Sequence, residues 1–287
     1  VRVRVPASSA NLGPGFDAVG LALGLYDEIE ASAARSGLRV EVHGEGVGQV
    51  PTDEGNLVVR ALRAGCARCC YRPGGVVLRC RNRIPHARGL GSSAAAAVAG
   101  VLAGYGLAGM EPDEGVLDLA AGFDGHADNV GASLLGGLVI SWKDGNSFRA
   151  TRLQPHPDLA PVLLVPQDTS ATEVTRGLLP TEVRHTDAAF TAGRAALLIH
   201  ALTAAPELLL SATEDRLHQP YRRPAYPATA QVVDALRAAG VPAAVSGAGP
   251  SVLTLPVGGE LPAEVNTSGF TRLKMEVASD GAALEWS

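Results

Sequence analysis

Residues Ile84–Gly104 read IPHARGLGSSAAAAVAGVLAG, and the reading of this stretch decides the fold of the first half of the chain. Before it, VVLRCRN (Val76–Asn82) alternates, with Val76, Leu78 and Cys80 on one face and Val77, Arg79 and Arg81 on the other, as a half-buried strand does. After it, Ser92 or Ser93 can cap a helix whose residues, AAAAVAGVLAG, are small enough for another backbone to pack closely against them. Gly89 and Gly91 lack the Cβ atoms that would hinder tight turning. Successive N–H groups can then converge on an anion, with the partial positive charge of a helix N-terminus behind them. A Gly-Ser stretch between strand and helix can also be no more than a turn. It is neither GxxxxGKS/T, since no lysine follows the glycines, nor GxGxxG, since Ser92, Ser93 and Ala94 fill the last three places.

The totals bound the rest. At 287 residues two domains of ordinary size are expected. With 46% hydrophobic and 18% charged residues, and no apolar run long enough to span a bilayer, the composition is that of a soluble globular protein with no membrane partner. VRVRVPASSAN at the start alternates as a strand and lacks a basic-then-apolar leader, so the cytoplasm is the expected location. Net charge is −5, from 24 Lys and Arg against 29 Asp and Glu, and the arginines are scattered singly, which excludes nucleic acid as the expected partner. Cys66, Cys69, Cys70 and Cys80 have a CxxCC spacing that could suggest zinc, yet no second pair or nearby His completes a site. Small apolar thiols ending a helix in a reducing compartment are the expected reading.

Along the chain, VRVRV leads into PASSANLGPGFDAVGLAL (Pro6–Leu23), expected as a loop because of Pro6, Gly13, Pro14 and Gly15, with Asn11 and Asp17 as polar groups beside the buried strand VGLALGLY. Leu38–His43 reads as a strand, and Thr52–Asn56 offers caps for a helix over Leu57–Cys70. Pro112–Asp113 opens another helix, which leads to His126-Ala127-Asp128-Asn129, residues that can position a hydroxyl or cap a helix end. KDGNS (Lys143–Ser147) is the most turn-like run, and the domain boundary is expected just beyond it, dividing residues 1–150 from 151–287. In the second half PVLLVP is a buried strand. Ser170–Pro180 is a short helix with Thr172 and Arg176 on one face, and further helices are expected at Thr186–Thr203, Pro206–Leu217 and Ala228–Ala239. HQPYRRPAYP (His218–Pro227) should be a loop presenting Arg222 and Arg223, which suits a carboxylate or merely a solvated surface. VPAAVSGAGPSVLTLP is strand, glycine loop, strand, and TRLKMEV a closing strand.

SSANLGPGFDAVGLAL, IPHARGLGSSAAAAV and AVSGAGPSVLTL, in that order, resemble the three motifs of the GHMP small-molecule kinases. GHADNVGASLLGG and HQPYR look like the homoserine kinase branch of that family. The resemblance implies an α+β fold, with an N-terminal domain like domain 2 of ribosomal protein S5, a C-terminal ferredoxin-like domain, and the active site in the cleft between them. It implies ATP and Mg²⁺ as cofactors, and phosphorylation of the L-homoserine hydroxyl to O-phospho-L-homoserine in threonine biosynthesis. A homodimer is the expected assembly.

By the same resemblance Pro85, His86, Ala87, Arg88, Gly89, Leu90, Gly91, Ser92, Ser93, Ala94 and Ala95 wrap the ATP phosphates, with Ser93 a hydroxyl ligand for Mg²⁺. Homoserine would lie between Asn11, Asp17 and His126 on one side and Arg176 and Arg222 on the other. Asn129 would hydrogen-bond the attacking hydroxyl, and Thr172 and Arg176 would join it as catalytic residues. The chain departs from the family at its acidic metal ligand. Where a Glu is usual this sequence has Gly122, leaving Asp124 as the carboxylate that could replace it, one methylene shorter. A mevalonate- or sugar-type kinase and a non-catalytic nucleotide-binding descendant are the alternatives.

Overall fold

The N-terminal alternation becomes a hairpin. In the computed structural model, which describes residues 1–168 and 175–286, β1 (Arg2–Asn11) and β2 (Gly15–Ala34) run antiparallel. Most of Pro6–Leu23 is therefore strand and not the expected loop. Pro6 is tolerated because the register shifts between Pro6 and Ala7, where the ladder does not need its missing N–H.

The 20-residue β2 is the spine of a seven-stranded sheet. Its second half pairs with β4 (Gly75–Asn82), which lies parallel to β3 (Gly37–Gly44). Its first half pairs with β5 (Leu138–Asp144), which turns at Gly145 into β6 (Ser147–Leu153). KDGNS is thus a hairpin turn, and the boundary expected at residue 150 falls inside β6. Moreover β11 (Ala283–Glu285) returns from the far end of the chain to pair with β1, so the first sheet draws on both sides of that boundary.

The α1 helix (Leu57–Arg68) starts where Asn56 Oδ1 accepts the N–H groups of Val58 and Val59, a side-chain N-cap. The α2 helix (Ser92–Leu107) packs on α1, β1 and β2. The α3 helix (Gly115–Asp124) begins slightly after the expected Pro112–Asp113, because the Asp113 carboxylate accepts the Gly115 N–H at 2.9 Å. After it, α4 (Asp128–Leu135) lies against β2 so closely that a Cβ on Gly20 would strike the Asp128 carbonyl.

The second sheet has the order β10-β7-β9-β8, from β7 (Val162–Pro166), β8 (Ala243–Val245), β9 (Val252–Thr254) and β10 (Phe270–Lys274). All neighbours are antiparallel, which is the ferredoxin-like order. Between β7 and β8 run α5 (His185–Thr203), the short α6 (Leu209–Ala212) and α7 (Gln219–Arg222), and α8 (Pro227–Ala238). Between β9 and β10 the chain makes only a 3₁₀ turn, so the second crossover helix of a full ferredoxin-like unit is replaced by an irregular link. The α+β class and the two-part architecture implied by the resemblance are those observed. Pro206–Leu217 differs from expectation: its helix breaks after Ala212. The stretch expected as a loop from His218 makes the helical turn of α7 instead. No helix among the described residues is long and apolar enough to cross a membrane.

The small residues of α2 serve the close packing that their size suggests. Ideal Cβ atoms on Gly100 and Gly104 would lie 2.5 Å from the carbonyl oxygens of Val58 and Leu62 in α1. Gly104→Val should therefore cost about 1–3 kcal/mol of stability through overpacking, despite the better helix propensity of valine over glycine. Urea denaturation measures it; an unchanged midpoint would mean that the two helices can separate without loss.

Candidate active site

The loop after β4 is anchored before it turns. Asp27 Oδ1 accepts the N–H groups of Arg83 and Ile84 at 2.6 and 2.9 Å, extending the β2–β4 ladder with a side chain. Gly91 then adopts φ 69° as the N-cap of α2, and it brings no side-chain oxygen to the helix end. Ser92 and Ser93 are already helical, so neither is the expected cap. The first-turn N–H groups of α2 are left for a ligand, which is what an anion site requires. Space is held open by glycine: a Cβ on Gly91 would strike Ser8 Oγ, and one on Gly89 (φ 71°) would strike the Ser246 carbonyl. Ser246 belongs to the loop between β8 and β9. Its Oγ donates to the Gly89 carbonyl at 2.6 Å and lies 2.8 Å from Ser9 Oγ, so the second glycine loop supports the first.

Two of the residues expected around phosphate are tied into the fold. Arg88 donates from Nε to Pro166 O (2.9 Å) and from Nη2 to Gln167 O (2.7 Å), fastening the loop to the end of β7. Ala94 is fully buried in the core and does not line the cavity. Pro85, His86, Ala87, Arg88, Gly89, Leu90, Gly91, Ser92, Ser93 and Ala95 do line it. Ser93 Oγ donates to Asp124 Oδ1 at 2.8 Å, so the hydroxyl and the carboxylate singled out as metal ligands meet at the end of α3.

Across the same cavity, of about 680 Å³, stand Asn11, Asp17, His126, Asp128, Asn129, Arg176 and Arg222. Asn11 Nδ2 donates to Gly247 O at 2.7 Å and its Oδ1 accepts the Asp17 N–H at 2.9 Å. It therefore braces the β1–β2 turn against the second glycine loop and acts as a positioning residue. Asn11, Leu12 and Asp17 have φ of 68°, 49° and 56°, strained for side-chain-bearing residues and sustained here by those bonds. Asp17 and Arg176 grip each other in bidentate fashion, at 2.7 and 3.2 Å. The two groups expected at opposite ends of an amino acid are thus each other's partners. Thr172 lies outside the described residues.

Arg222 is not on an exposed loop, as expected, but 1% exposed on α7. Its Nη1 donates to His218 Nδ1 at 3.2 Å. His218 Nε2 sits 2.7 Å from the Gly13 carbonyl, which can only accept, so the ring proton is on Nε2 and Nδ1 is free to accept from the arginine. Burial pushes the His218 pKa down, which keeps that neutral form. The Phe16 ring stacks on His218 at 5.0 Å and lies beneath the guanidinium groups of both Arg176 and Arg222, at 5.5 and 5.4 Å. The Nε atoms of both arginines are buried without a hydrogen-bond partner among the described residues. A buried guanidinium with an open donor is a site for an anion. Arg223, by contrast, is an exposed surface arginine paired with Asp234.

Asn129 stands in the first turn of α4. Its Oδ1 accepts from Ser8 Oγ at 2.9 Å and its Nδ2 donates to Asp128 Oδ1 at 3.4 Å, which leaves the amide a second N–H. Asp128 beside it is 3% exposed and accepts the Asn129 N–H at 2.7 Å. Burial pushes its pKa up to about 7, helped by the negative charges of Asp17 and Asp124. Ser8 and Phe16 have no reading of their own in the sequence, and Asp128 and His218 enter it only as members of the His-x-Asp-Asn and HQPYR runs. The places of Ser8 and Phe16 are defined by contacts across the fold. Among the described residues no group of three or more His, Cys, Asp or Glu able to hold a metal is found. Burial pushes the Cys66 and Cys80 thiols up to about 11 and about 12, as for inert core residues.

An uncapped helix N-terminus behind a glycine loop, facing buried arginines across a cleft between an S5-like and a ferredoxin-like unit, defines a small-molecule kinase of GHMP type. The family models agree: GHMP kinases N terminal domain matches residues 56–137, and GHMP kinases C terminal matches residues 189–264. The chain is 53% identical over 259 residues to a homoserine kinase of Streptomyces avermitilis, covering 89% of this chain and 85% of that one. It is 50% identical over 297 residues to that of Mycolicibacterium vanbaalenii, covering 99% and 93%. The crystal structure of homoserine kinase from Cytophaga hutchinsonii superposes with a TM-score of 0.83 at 25% identity, covering 99% of this chain and 96% of that one. The chain belongs to the homoserine kinase family of GHMP kinases.

Asp128 links the site to stability. Its carboxyl ionises near pH 3.8 in the unfolded chain but near pH 7 when folded, so ionisation disfavours folding progressively across that window and fully above it. Asp128→Asn should consequently be more stable than the parent at pH 8, by about 2 kcal/mol, with the difference closing near pH 4. Denaturant titrations at the two pH values check this; equal gaps at both would show that the carboxylate carries no burial penalty.

Proposed function

We propose that the protein transfers the γ-phosphoryl group of ATP to the side-chain hydroxyl of L-homoserine, giving O-phospho-L-homoserine and ADP. The observation that carries this reading is the buried Arg222, with its open Nε, in the same cavity as the uncapped N-terminus of α2. One end suits polyphosphate and the other a carboxylate. Asp17, bonded to Arg176, supplies the negative charge that an ammonium group needs beside that carboxylate site. A sugar would use neither, and mevalonate has a carboxylate but no ammonium group to set beside Asp17.

The residues then divide the work. The Gly89–Gly91 turn and the first-turn N–H groups of α2 hold the phosphates. Arg222 and Arg176 take the substrate carboxylate on the Phe16 platform, and Asp17 takes the ammonium group, with His126 alongside. Asn129 donates from Nδ2 to the attacking hydroxyl oxygen and so fixes its direction, because Ser8 occupies the Oδ1 side. Phosphoryl transfer through a loose transition state asks for such positioning more than for a strong base. Mg²⁺, when bound, neutralises the phosphate charge, and Ser93 Oγ with Asp124 Oδ1 are the hard oxygens that would hold it. The same reading takes the enzyme to be cytoplasmic, homodimeric and part of threonine biosynthesis.

Mass spectrometry of the product formed from homoserine and Mg·ATP tests the reaction. Phosphorylation of mevalonate or a sugar in its place would overturn the substrate. Arg222→Ala should raise the homoserine KM about ten- to a hundredfold, the loss of roughly 1.5–3 kcal/mol for a charge-assisted bond, with little effect on the ATP KM. Equal losses on both substrates would point to a structural arginine. Asp124→Asn should raise the Mg²⁺ requirement and lower kcat while sparing homoserine binding. Gly122 has open space where a Cβ would stand, so adding Gly122→Glu restores the usual family carboxylate and should rescue the variant. An unchanged Mg²⁺ titration in Asp124→Asn would remove that carboxylate from the site.

A further inference from the structure

Two serines stand on β1 where a strand core ordinarily carries apolar side chains, and both are fully buried. Ser9 Oγ meets Ser246 Oγ of the second glycine loop. Ser8, one residue back and so on the other face of the strand, points to α4. Three ties meet on Ser8. Its backbone N–H donates to Leu90 O of the phosphate loop at 3.1 Å. Its Oγ donates to Asn129 Oδ1 at 2.9 Å and accepts from Ser133 Oγ, one turn further along α4, at 3.4 Å. Gly91, the N-cap of α2, lies directly against that hydroxyl: a Cβ there would strike Ser8 Oγ and come within 3.2 Å of Asn129 Oδ1. The loop proposed to hold the phosphates and the amide proposed to direct the acceptor hydroxyl thus share one small residue.

We propose that Ser8 is a positioning residue for phosphoryl transfer: bonded to the phosphate loop by its backbone and to Asn129 by its hydroxyl, it sets the acceptor hydroxyl in register with the phosphoryl donor. The inference rests on the proposed kinase reaction and adds the residue through which the two substrates are aligned. An asparagine amide has nearly the same shape after a half-turn, and only its partners decide which end is the donor. Ser8 holds the oxygen end. Ser133, by donating to Ser8 Oγ, leaves the Ser8 proton for Asn129, while Asp128 Oδ1 takes one N–H of the amide and leaves the other for the substrate. Alignment of this kind is costly to lose, since a misplacement of about 1 Å between reacting groups can lower the rate about a hundredfold.

Ser8→Ala removes the hydroxyl, keeps the backbone bond to Leu90, and suits a strand that already buries Ala7 and Ala10. It should lower kcat about tenfold or more while the KM values for homoserine and ATP stay within about twofold. A double-mutant cycle separates positioning from packing: in an Asn129→Ala background the same substitution should change kcat by less than about twofold, because the amide it acts through is gone. An unchanged kcat in Ser8→Ala, a loss that appears in the ATP KM instead, or a loss of equal size with and without Asn129 would overturn the proposal. NMR supplies a readout that needs no turnover. The side-chain amide resonances of Asn129, assigned by their disappearance in Asn129→Ala, should shift in Ser8→Ala, and resonances that stay in place would equally count against the role of Ser8. Assays of the parent keep the two readings apart. If it phosphorylates another alcohol, the proposed substrate fails and the cycle is run on that alcohol; if it phosphorylates homoserine and the losses are additive, the role of Ser8 fails alone.

Discussion

The first turn of α2 has no side-chain cap, and the rest of the site is arranged around that omission. Helices ordinarily satisfy their leading N–H groups locally, often with a Ser or Asp one position before the first turn. Here a glycine in the left-handed conformation takes that position, and the two serines that could have capped the helix are part of it. The amides face a cavity as a result. Keeping them there requires that nothing else fill the space, and backbone-to-backbone contact supplies the walls: Gly89 against the Ser246 carbonyl, Gly91 against Ser8. The second glycine loop comes from the other half of the chain, so the anion site exists only when both sheets are assembled.

The opposite side of the cleft is organised by charge. Arg222 is buried, held by a neutral histidine and set over an aromatic ring with Arg176, and Asp17 across the cavity is already engaged by Arg176. Neither arginine has a partner for its Nε among the described residues. Such a surplus of buried donors is unfavourable in the empty protein, as is the near-neutral Asp128 behind Asn129. Functional sites commonly hold strain and desolvation of this kind, sustained by the packing of their surroundings. In this molecule the support is plain: a seven-stranded sheet whose core strand is continuous through the site, and a helix pair packed backbone to backbone behind the phosphate loop.

Much of this was legible in the order of residues. The period-two alternation of Val76–Asn82, the glycines at 89 and 91 and the run of small residues after them specify strand, turn and close-packed helix by local rules, and the observed elements agree. The five motifs in sequence specified the family, because no one of them is selective but their order is. Local rules misjudged the β1–β2 hairpin, since Pro6 is acceptable at a bulge that only the partner strand creates, and they misplaced the boundary near residue 150, since β6 and β11 earn their places by pairing with strands far away in the chain.

The sequence by itself determined the fold class, the family and the types of residue available for binding phosphate and an amino acid. These follow from periodicity, turn chemistry and motif order, all of which are carried by neighbours along the chain. Only the tertiary structure decided what each side chain is free to do. Arg88 and Asn11 line the cavity yet are also tied to carbonyls of the second unit, Arg222 suits a carboxylate or a solvated surface by sequence and is buried in the fold, and Asp27 has no local sign of its tie to residues 83 and 84. The reason is physical. A hydrogen-bonding group is available to a ligand only if the fold has not already satisfied it, and that depends on partners brought close by packing at separations that no local pattern records.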